Sequence, residues 1–189
     1  WMTSQYQNFQ WSLLSDFCYF SYEFSASTGA VTNSHSFATA NSVTAALNNG
    51  KRVHLCVTLF SDFATFFASS SAQQTLITNL IAAVKQRNAH GINVDFEGVP
   101  ASEKTNFTNF MKTLSQRLHD SIPNSKVSIC LPAVDWASSY DVVNMNNDAV
   151  ASRNVDWFII MGYDYYYGGS TTAGPTDPLY PFQTSSTSC

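Results

Sequence analysis

Five short apolar runs recur along the chain, each rich in the β-branched and aromatic residues that favour strands. Polar stretches that contain apolar residues at helical spacing separate these runs. Strands that alternate with helices are typical of a parallel α/β architecture. The predicted strands cover residues 17–24, 53–60, 92–96, 127–134 and 155–163.

Three of the segments between these runs predict helices. Asn41 is the predicted N-cap of a short helix that ends at Gly50. The three serines at 69–71 introduce a second helix. Ser102 is the predicted N-cap of a long amphipathic helix that ends before Pro123.

The rest of the pattern decides between two sheet architectures. A weaker helical pattern covers residues 142–153, and the residues from Tyr165 onward favour a loop. Five strands with helical crossovers fit an open doubly wound sheet or most of a (β/α)8 barrel. A doubly wound nucleotide-binding domain needs a Gly-rich phosphate loop after an early strand, and the sequence has none. The prediction is therefore a barrel, in one domain that spans residues 1–189.

Composition excludes several classes of function. The chain is 44% hydrophobic and 14% aromatic, which is too apolar for a disordered protein. Its net charge is −4 and it has no basic stripe, so we expect no nucleic-acid partner. We also expect no membrane span, because the apolar runs are far shorter than the ~18 residues that a span needs.

The cysteines and histidines do not predict a metal site. The four residues of each type are scattered, with no C-x-x-C pair and no cluster at ligand spacing. Cys18, Cys56 and Cys130 lie inside the predicted strands, where we expect free, buried thiols that act as small apolar side chains.

The third predicted strand carries the strongest chemical pattern. Because side chains alternate along a strand, Asn93, Asp95 and Glu97 share one face, with Glu97 at the C-terminal end where barrel active sites lie. The two carboxylates are then roughly 6.5 Å apart along the strand. Repulsion in a partly dry cavity raises the pKa of one of them, as a general acid requires. The alternative is an ordinary strand with a solvent-facing acidic edge.

A second pattern ends the fifth predicted strand. Met161, Tyr163 and Asp164 lie there, followed by three consecutive tyrosines at 165–167. A Tyr and an Asp at that strand end are predicted to converge on the same barrel mouth as Glu97. Taken alone, the aromatic cluster fits core packing equally well.

Together these two segments resemble the signatures of glycoside hydrolase family 18, the chitinase family: D-G-x-D-x-D-x-E on the fourth barrel strand and M-x-Y-D on the sixth. The resemblance covers about residues 9–178. It implies an α/β fold, a (β/α)8 TIM barrel that is incomplete in this chain, with about strands 2 to 6 of eight. Trp1 opens the chain and a Ser/Thr tract closes it, so we expect a partial catalytic domain with both ends truncated.

The resemblance also implies a role for each matched residue. Glu97 is the acid that protonates the glycosidic oxygen, and Asp95 orients the substrate's N-acetyl group. The N-acetyl carbonyl attacks the anomeric carbon, so the substrate assists its own cleavage and the configuration is retained. Tyr163 bonds the same carbonyl, Asp164 contacts the same sugar, and Met161 lines the pocket floor. No metal or other cofactor is implied.

Three departures from the family pattern change details of this expectation. His90 stands where the family has its first Asp, at the strand entrance, where we expect a structural role. Asn93 replaces the second Asp, which removes a charge beside Asp95 but keeps a hydrogen-bond donor for it. An Asn at this motif position resembles the pattern of the family branch that acts on peptidoglycan or spore cortex. The small-residue S-x-G-G pattern of the third barrel strand is absent from residues 57–60.

Two further aromatic residues are candidate substrate contacts. Trp136, after the fourth predicted strand, is a candidate sugar-stacking platform or a packed loop residue, and Tyr22 either reaches the mouth or packs in the core.

The sequence thus predicts a glycosidase that cleaves β-1,4 linkages of N-acetylglucosamine-containing glycans, either chitin or peptidoglycan. The few charged residues, 12% of the chain, favour a secreted or cell-envelope location. The alternative is a catalytically silent, chitinase-like carbohydrate-binding protein. Such proteins typically lose the acid, which is retained here as Glu97.

Overall fold

A six-stranded sheet forms the centre of the protein. The computed structural model describes residues 4–135 and 137–180, together with the backbone of residues 183–184 and 187–188. The strands of this sheet are β1 (Asp16–Phe24), β2 (Val31–Asn33), β3 (Arg52–Leu59), β4 (Gly91–Phe96), β5 (Lys126–Pro132) and β6 (Trp157–Met161). Two further short strands, β7 (Gln183–Thr184) and β8 (Thr187–Ser188), pair only with each other.

The order of the strands identifies a barrel-type sheet. The order is β2-β1-β3-β4-β5-β6, and the neighbours from β1 to β6 are parallel, whereas β2 is a short antiparallel strand at the edge. Each parallel strand is added on the same side of the one before it. A doubly wound sheet would instead reverse direction part-way. One direction throughout, with right-handed crossovers, is the arrangement of a (β/α)8 barrel.

The crossover helices agree only partly with the sequence prediction. They are α1 (Asn41–Asn48), α2 (Phe63–Ala68), α3 (Ser70–Gln86), α4 (Lys104–Ser121) and α5 (Val142–Met145). The short aromatic helix α2 was not predicted. The predicted helix at 142–153 is only α5 and a 3-10 turn, Ala151–Arg153.

Only one of the three predicted helix starts has the expected capping contact. Ser69 caps α3, because its hydroxyl accepts a hydrogen bond from the Ala72 N–H at 3.2 Å. Asn41 is not the N-cap of α1 but its first residue, after Ala40. Ser102 does not cap α4, since it lies in a preceding 3-10 turn, Ala101–Glu103.

An aromatic cluster between the sheet and the helices shows which face of β4 points toward the helices. Phe96 is fully buried, and its ring stacks on Phe107 and Phe110 of α4 at centroid distances of 5.6 and 5.7 Å. Val94 and Ile92 are also fully buried in this layer. Because side chains alternate along a strand, the residues between them face the inside of the curved sheet.

Charged side chains join the strands at their N-terminal ends. Arg52 makes two hydrogen bonds of 2.7 Å to Asp16, and His54 Nε2 lies 2.8 Å from Asp16 Oδ1. Burial alone would raise the pKa of Asp16, but the bonds from Arg52 and His54 hold it far below its usual value. At the same end, His90 Nδ1 accepts a hydrogen bond from the Val53 N–H at 3.1 Å, in agreement with the structural role expected for it.

The free cysteines differ in exposure. Cys56 is buried, as expected, but Cys130 is only half-buried and Cys18 is exposed, contrary to the expectation. In the described part of the chain, no three His, Cys, Asp or Glu side chains are grouped so that they could bind a metal. No helix in that part is both long and apolar enough to cross a bilayer.

Candidate active site

Strand β4 carries three polar residues to the inner face of the sheet. Asn93 and Asp95 are only 3% and 8% exposed. Glu97 follows the last residue of β4 and is exposed, but its backbone N–H still donates to the Leu59 carbonyl at 3.1 Å. The strand geometry therefore extends to Glu97, and the three side chains form a column that rises from the buried interior to the rim.

Asn93 is held by β5 rather than by Asp95. Its amide Nδ2 donates to Ser128 Oγ at 2.9 Å, and its Oδ1 accepts from Cys130 Sγ at 3.5 Å. The donor that was expected to be available for Asp95 is directed to β5 in this structure. Asn93 and Ser128 are paired in the sheet register, which places the amide beside Ser128.

Asp95 is a buried carboxyl group with an open acceptor. Among the described residues, its Oδ1 atom has no hydrogen-bond partner. Burial raises the pKa of Asp95, and a hydrogen bond from the Cys130 thiol opposes that shift. An unpartnered buried acceptor is costly to keep in a folded protein, and a catalytic or binding role is one explanation for retaining it.

A cavity of about 440 Å³ opens above this column. It is lined by Glu97, which follows β4, by Met161 at the end of β6, and by Tyr163 and Asp164 just after β6. The end of β5 and the start of the next loop, residues 132–134, form another wall, and the tyrosines at 165 and 167 complete the lining. The structure thus brings together the two sequence patterns that were predicted to converge at one mouth.

The electrostatics of the cavity favour a protonated acid at Glu97. Burial raises its pKa, and the negative charges of Asp95 and Asp164 raise it further. The pKa of Tyr163 is also raised, by burial and then by the charges of Asp95 and Glu97, so its hydroxyl keeps its proton and remains a donor. The cavity therefore combines the Glu97 carboxyl group, whose pKa is raised, with a phenolic donor and, below them, the open Oδ1 acceptor of Asp95.

Of the two other aromatic candidates, the structure describes only Tyr22, which is not among the described residues that line the cavity. Tyr22 is 4% exposed and packs in the hydrophobic core, which is one of the two positions expected for it. A contact between Tyr22 and a sugar stays a prediction. Trp136 lies outside the described residues.

Tyr140 is a residue near the site that the sequence patterns did not indicate. Its hydroxyl donates to the carbonyl of Phe96 at 2.7 Å, between Asp95 and Glu97 in the chain. The Asp135 carboxylate accepts bonds from the N–H groups of Ser139 and Tyr140, at 3.0 and 2.9 Å, and so fixes the loop that presents the tyrosine. No periodicity or motif relates Tyr140 to β4, because a contact across 44 residues depends on the fold alone.

Comparison with known proteins shows the family of the chain. The model of the family "Glycosyl hydrolases family 18" matches residues 2–188. YdhD of Bacillus subtilis, named as a sporulation-specific glycosylase, is 31% identical over 114 residues, which are 58% of this chain and 25% of YdhD. The chain therefore spans a quarter of the length of that relative.

Solved structures share the fold at low sequence identity. The crystal structure of YdhD has a TM-score of 0.73 and 22% identity, and covers 92% of this chain and 58% of its own. A chitinase from Cycas revoluta, crystallised with (GlcNAc)4, has a TM-score of 0.77 at 17% identity, over 93% of this chain and 56% of its own. The spore cortex-lytic enzyme SleL of Bacillus cereus has a TM-score of 0.74 at 19% identity, over 93% of this chain and 41% of its own. These likenesses confirm an incomplete (β/α)8 barrel.

Proposed function

Since the chain belongs to family 18 of the glycosyl hydrolases, we propose that it carries the catalytic centre of a glycosidase that cleaves β-1,4 bonds beside N-acetylglucosamine. The proposed mechanism is substrate-assisted and retaining, in which the N-acetyl group of the substrate replaces an enzyme nucleophile. The substrate partner is an oligosaccharide or polysaccharide that contains N-acetylglucosamine.

The open acceptor on Asp95 is the observation that carries this proposal. Its buried Oδ1 atom, without a partner among the described residues, is suited to accept the N–H of an N-acetyl group. That hydrogen bond would satisfy the carboxylate and orient the acetyl carbonyl toward the anomeric carbon. The negative charge of the Asp95 carboxylate would then stabilise the positive charge that develops on the cyclic oxazolinium intermediate.

Glu97 and the residues after β6 supply the remaining steps. The raised pKa of Glu97 supports its role as the general acid that protonates the departing glycosidic oxygen. The Tyr163 hydroxyl would donate to the acetyl carbonyl, and Asp164 would contact the same sugar. Met161 would form the apolar floor under the ring. Asn93 would support the site from below, through its bonds to β5.

The substrate class within this proposal stays open between chitin and peptidoglycan. A spore cortex-lytic enzyme and a chitinase with bound N-acetylglucosamine oligomers share the fold about equally well. Hydrolysis of chitin oligomers and of cortex peptidoglycan by the same preparation would discriminate between them. A secreted or cell-envelope location is part of the same proposal, and fractionation of the producing cells would test it.

The test compares the full-length protein with Glu97→Gln on a chromogenic chitobioside and on peptidoglycan fragments. Glutamine keeps the shape of the side chain but has no proton to donate, so we expect kcat to fall at least ~100-fold. A matched control is Glu103→Gln. Glu103 lies in the 3-10 turn before α4, so this variant should keep full activity. Equal rates for wild type and Glu97→Gln would refute the assignment of Glu97.

The alternative, a catalytically silent carbohydrate-binding protein, makes a distinct prediction. Such a protein would bind N-acetylglucosamine oligomers in a calorimeter without cleaving any substrate. The retained Glu97, which lines the cavity, argues for the hydrolase.

A further inference from the structure

Glu97 lies at the point where the chain leaves strand β4. Within the described part of the chain, the pairs between β4 and β5 extend as far as Val94 and Ile129 and stop before Glu97. The next residue, Gly98, has a φ of +75°, and a Cβ there would meet no atom within 4 Å. Glycine has the greatest backbone freedom of all residues. The acid of the proposed mechanism therefore lies beside a flexible residue, in a segment that strand pairing with β5 does not hold.

Two hydroxyl groups from the loop after β5 hold the backbone carbonyls on either side of this segment. The Tyr140 hydroxyl donates to the Phe96 carbonyl at 2.7 Å. The Ser139 hydroxyl donates to the Val99 carbonyl, in a contact between buried groups. Only Glu97 and the glycine after it lie between these two carbonyls in the sequence. The Ser139–Tyr140 pair thus anchors the chain immediately before and after the acid.

The peptide unit that precedes Glu97 is held at both of its polar atoms. Its carbonyl, which belongs to Phe96, accepts the bond from Tyr140. Its N–H, which belongs to Glu97, donates to the Leu59 carbonyl on β3 at 3.1 Å. Because a peptide unit is planar, bonds at both atoms fix the orientation of the whole unit. That orientation helps to set the direction in which the Glu97 side chain leaves the backbone.

The Ser139–Tyr140 pair is itself held in place by the protein. Asp135 accepts a hydrogen bond from each of the two backbone N–H groups, at 3.0 and 2.9 Å. Ser139 is only 1% exposed, and the ring of Tyr140 packs edge-on against Phe107 with a centroid distance of 5.8 Å. Burial raises the pKa of Tyr140, so its hydroxyl keeps its proton and remains a donor.

We propose that Tyr140, assisted by Ser139, is a positioning residue whose hydroxyl fixes the peptide unit before Glu97 and so keeps the Glu97 carboxyl group at the cavity. This proposal rests on the proposed function. Tyr140 is not among the described residues that line the cavity, whereas Glu97 is. Tyr140 therefore acts through the placement of Glu97 and not through a contact with the sugar.

The test compares Tyr140→Phe, Ser139→Ala and Tyr19→Phe in the full-length protein. Phenylalanine at position 140 keeps the ring and removes only the hydroxyl. Tyr19→Phe is the matched control, because the Tyr19 hydroxyl also donates to a backbone carbonyl, that of His35, and neither residue is among the described lining of the cavity. Circular dichroism establishes that each variant is folded, and Ser139→Ala decides the question if Tyr140→Phe is not.

The first measurement separates kcat from KM on a chitobioside substrate. Tyr140→Phe should lower kcat about 3- to 10-fold, since one hydrogen bond that places the acid is lost. KM should stay within about twofold, because the acid acts in the transition state and the groups that bind the sugar are unchanged. Ser139→Ala should change both constants in the same way. Tyr19→Phe, which loses a bond of the same kind, should keep the kcat of the wild type.

The second measurement is the pH profile of kcat. Burial and nearby carboxylates raise the pKa of Glu97 in its present position. The ionisable groups that face it are Cys56 on β3, Asp95 on its own strand, Tyr140 in the loop after β5, and Tyr163 and Asp164 after β6. A Glu97 side chain that is no longer held would be better hydrated, so its pKa would fall. The alkaline limb of the profile, which follows loss of the proton from the acid, should therefore move to lower pH in Tyr140→Phe and stay in place in Tyr19→Phe.

The outcomes separate this proposal from the proposed function. If the wild type hydrolyses the substrate, either a kcat of Tyr140→Phe equal to that of Tyr19→Phe or an unshifted pH profile overturns the positioning role, and the proposed function stands. If the wild type hydrolyses nothing, the proposed function fails. The titration of the Glu97 carboxyl carbon, followed by NMR, then decides: a lower pKa in Tyr140→Phe supports the positioning role, and an unchanged pKa overturns it.

Discussion

Asp95→Asn should make the protein more stable and, at the same time, less active. Asp95 is 8% exposed, and its Oδ1 atom has no partner among the described residues. Folding therefore removes a carboxylate from water, and burial of a charged group costs more than burial of a neutral polar group of the same shape. Asparagine removes the charge and keeps the shape, so we expect a gain of about 1 kcal/mol at pH 7.

The sign of this effect depends on pH. Burial raises the pKa of Asp95 in the folded protein above its ordinary value of 3.8, so the folded state binds a proton more readily than the unfolded chain. The penalty therefore appears as pH rises through 3.8 and is complete above the folded pKa. Below about pH 3 the side chain is protonated in both states, and wild type and variant should be equally stable.

The assay is urea unfolding of both proteins at pH 3, 5 and 7, followed by circular dichroism. The control is Asp156→Asn, for which the sign is reversed. Burial opposes ionisation of Asp156, but bonds from His119, Lys126 and the Val127 N–H outweigh it and lower its pKa. Its contribution is present at neutral pH and is lost as pH falls through the folded pKa, so Asp156→Asn should destabilise by about 1–3 kcal/mol at pH 7.

The activity of the same variant completes the prediction. Asp95→Asn should lower kcat about 100-fold, because the amide no longer stabilises a developing positive charge. A variant that is less stable than wild type at pH 7, or a gain that does not change between pH 3 and 7, would refute the account of Asp95 as an unsatisfied buried carboxylate.

Three other substitutions, one of them a control, test the frame and the cavity wall. A Cβ at Gly91 would lie 2.3 Å from the Lys126 carbonyl oxygen and 2.4 Å from His54 Nδ1, so Gly91→Ala should destabilise by about 1–3 kcal/mol in a urea titration. Gly162 has open space at its Cβ, and Gly162→Ala should change stability by less than about 0.5 kcal/mol; an equal effect at both sites would contradict this packing. Tyr163→Phe removes a donor that lines the cavity, so kcat on a chitobioside should fall about 10- to 100-fold while the urea midpoint stays unchanged. Retention of full activity would remove Tyr163 from the mechanism.

The five parallel strands could be predicted from the sequence because each carries its own signal, whereas the short strands β2, β7 and β8 were not predicted. The predicted runs at 17–24, 53–60 and 92–96 match β1, β3 and β4 to within about one residue at each end. Helix starts were predicted less well. Asn41 and Ser102 have good capping chemistry, but Ala40 and Glu103 occupy the N-cap positions, and neither makes a side-chain capping bond.

The sequence by itself determined the order of elements and the column of Asn93, Asp95 and Glu97, because the two-residue period of a strand is a local property of the backbone. Only the tertiary structure decided which neighbour each polar atom meets. Asn93 was expected to serve Asp95, yet it bonds Ser128 and Cys130, and Tyr140 reaches the Phe96 carbonyl from 44 residues away. Those partners lie on other segments of the chain, and the register between strands, which depends on the packing of the whole barrel, brings them within hydrogen-bond distance.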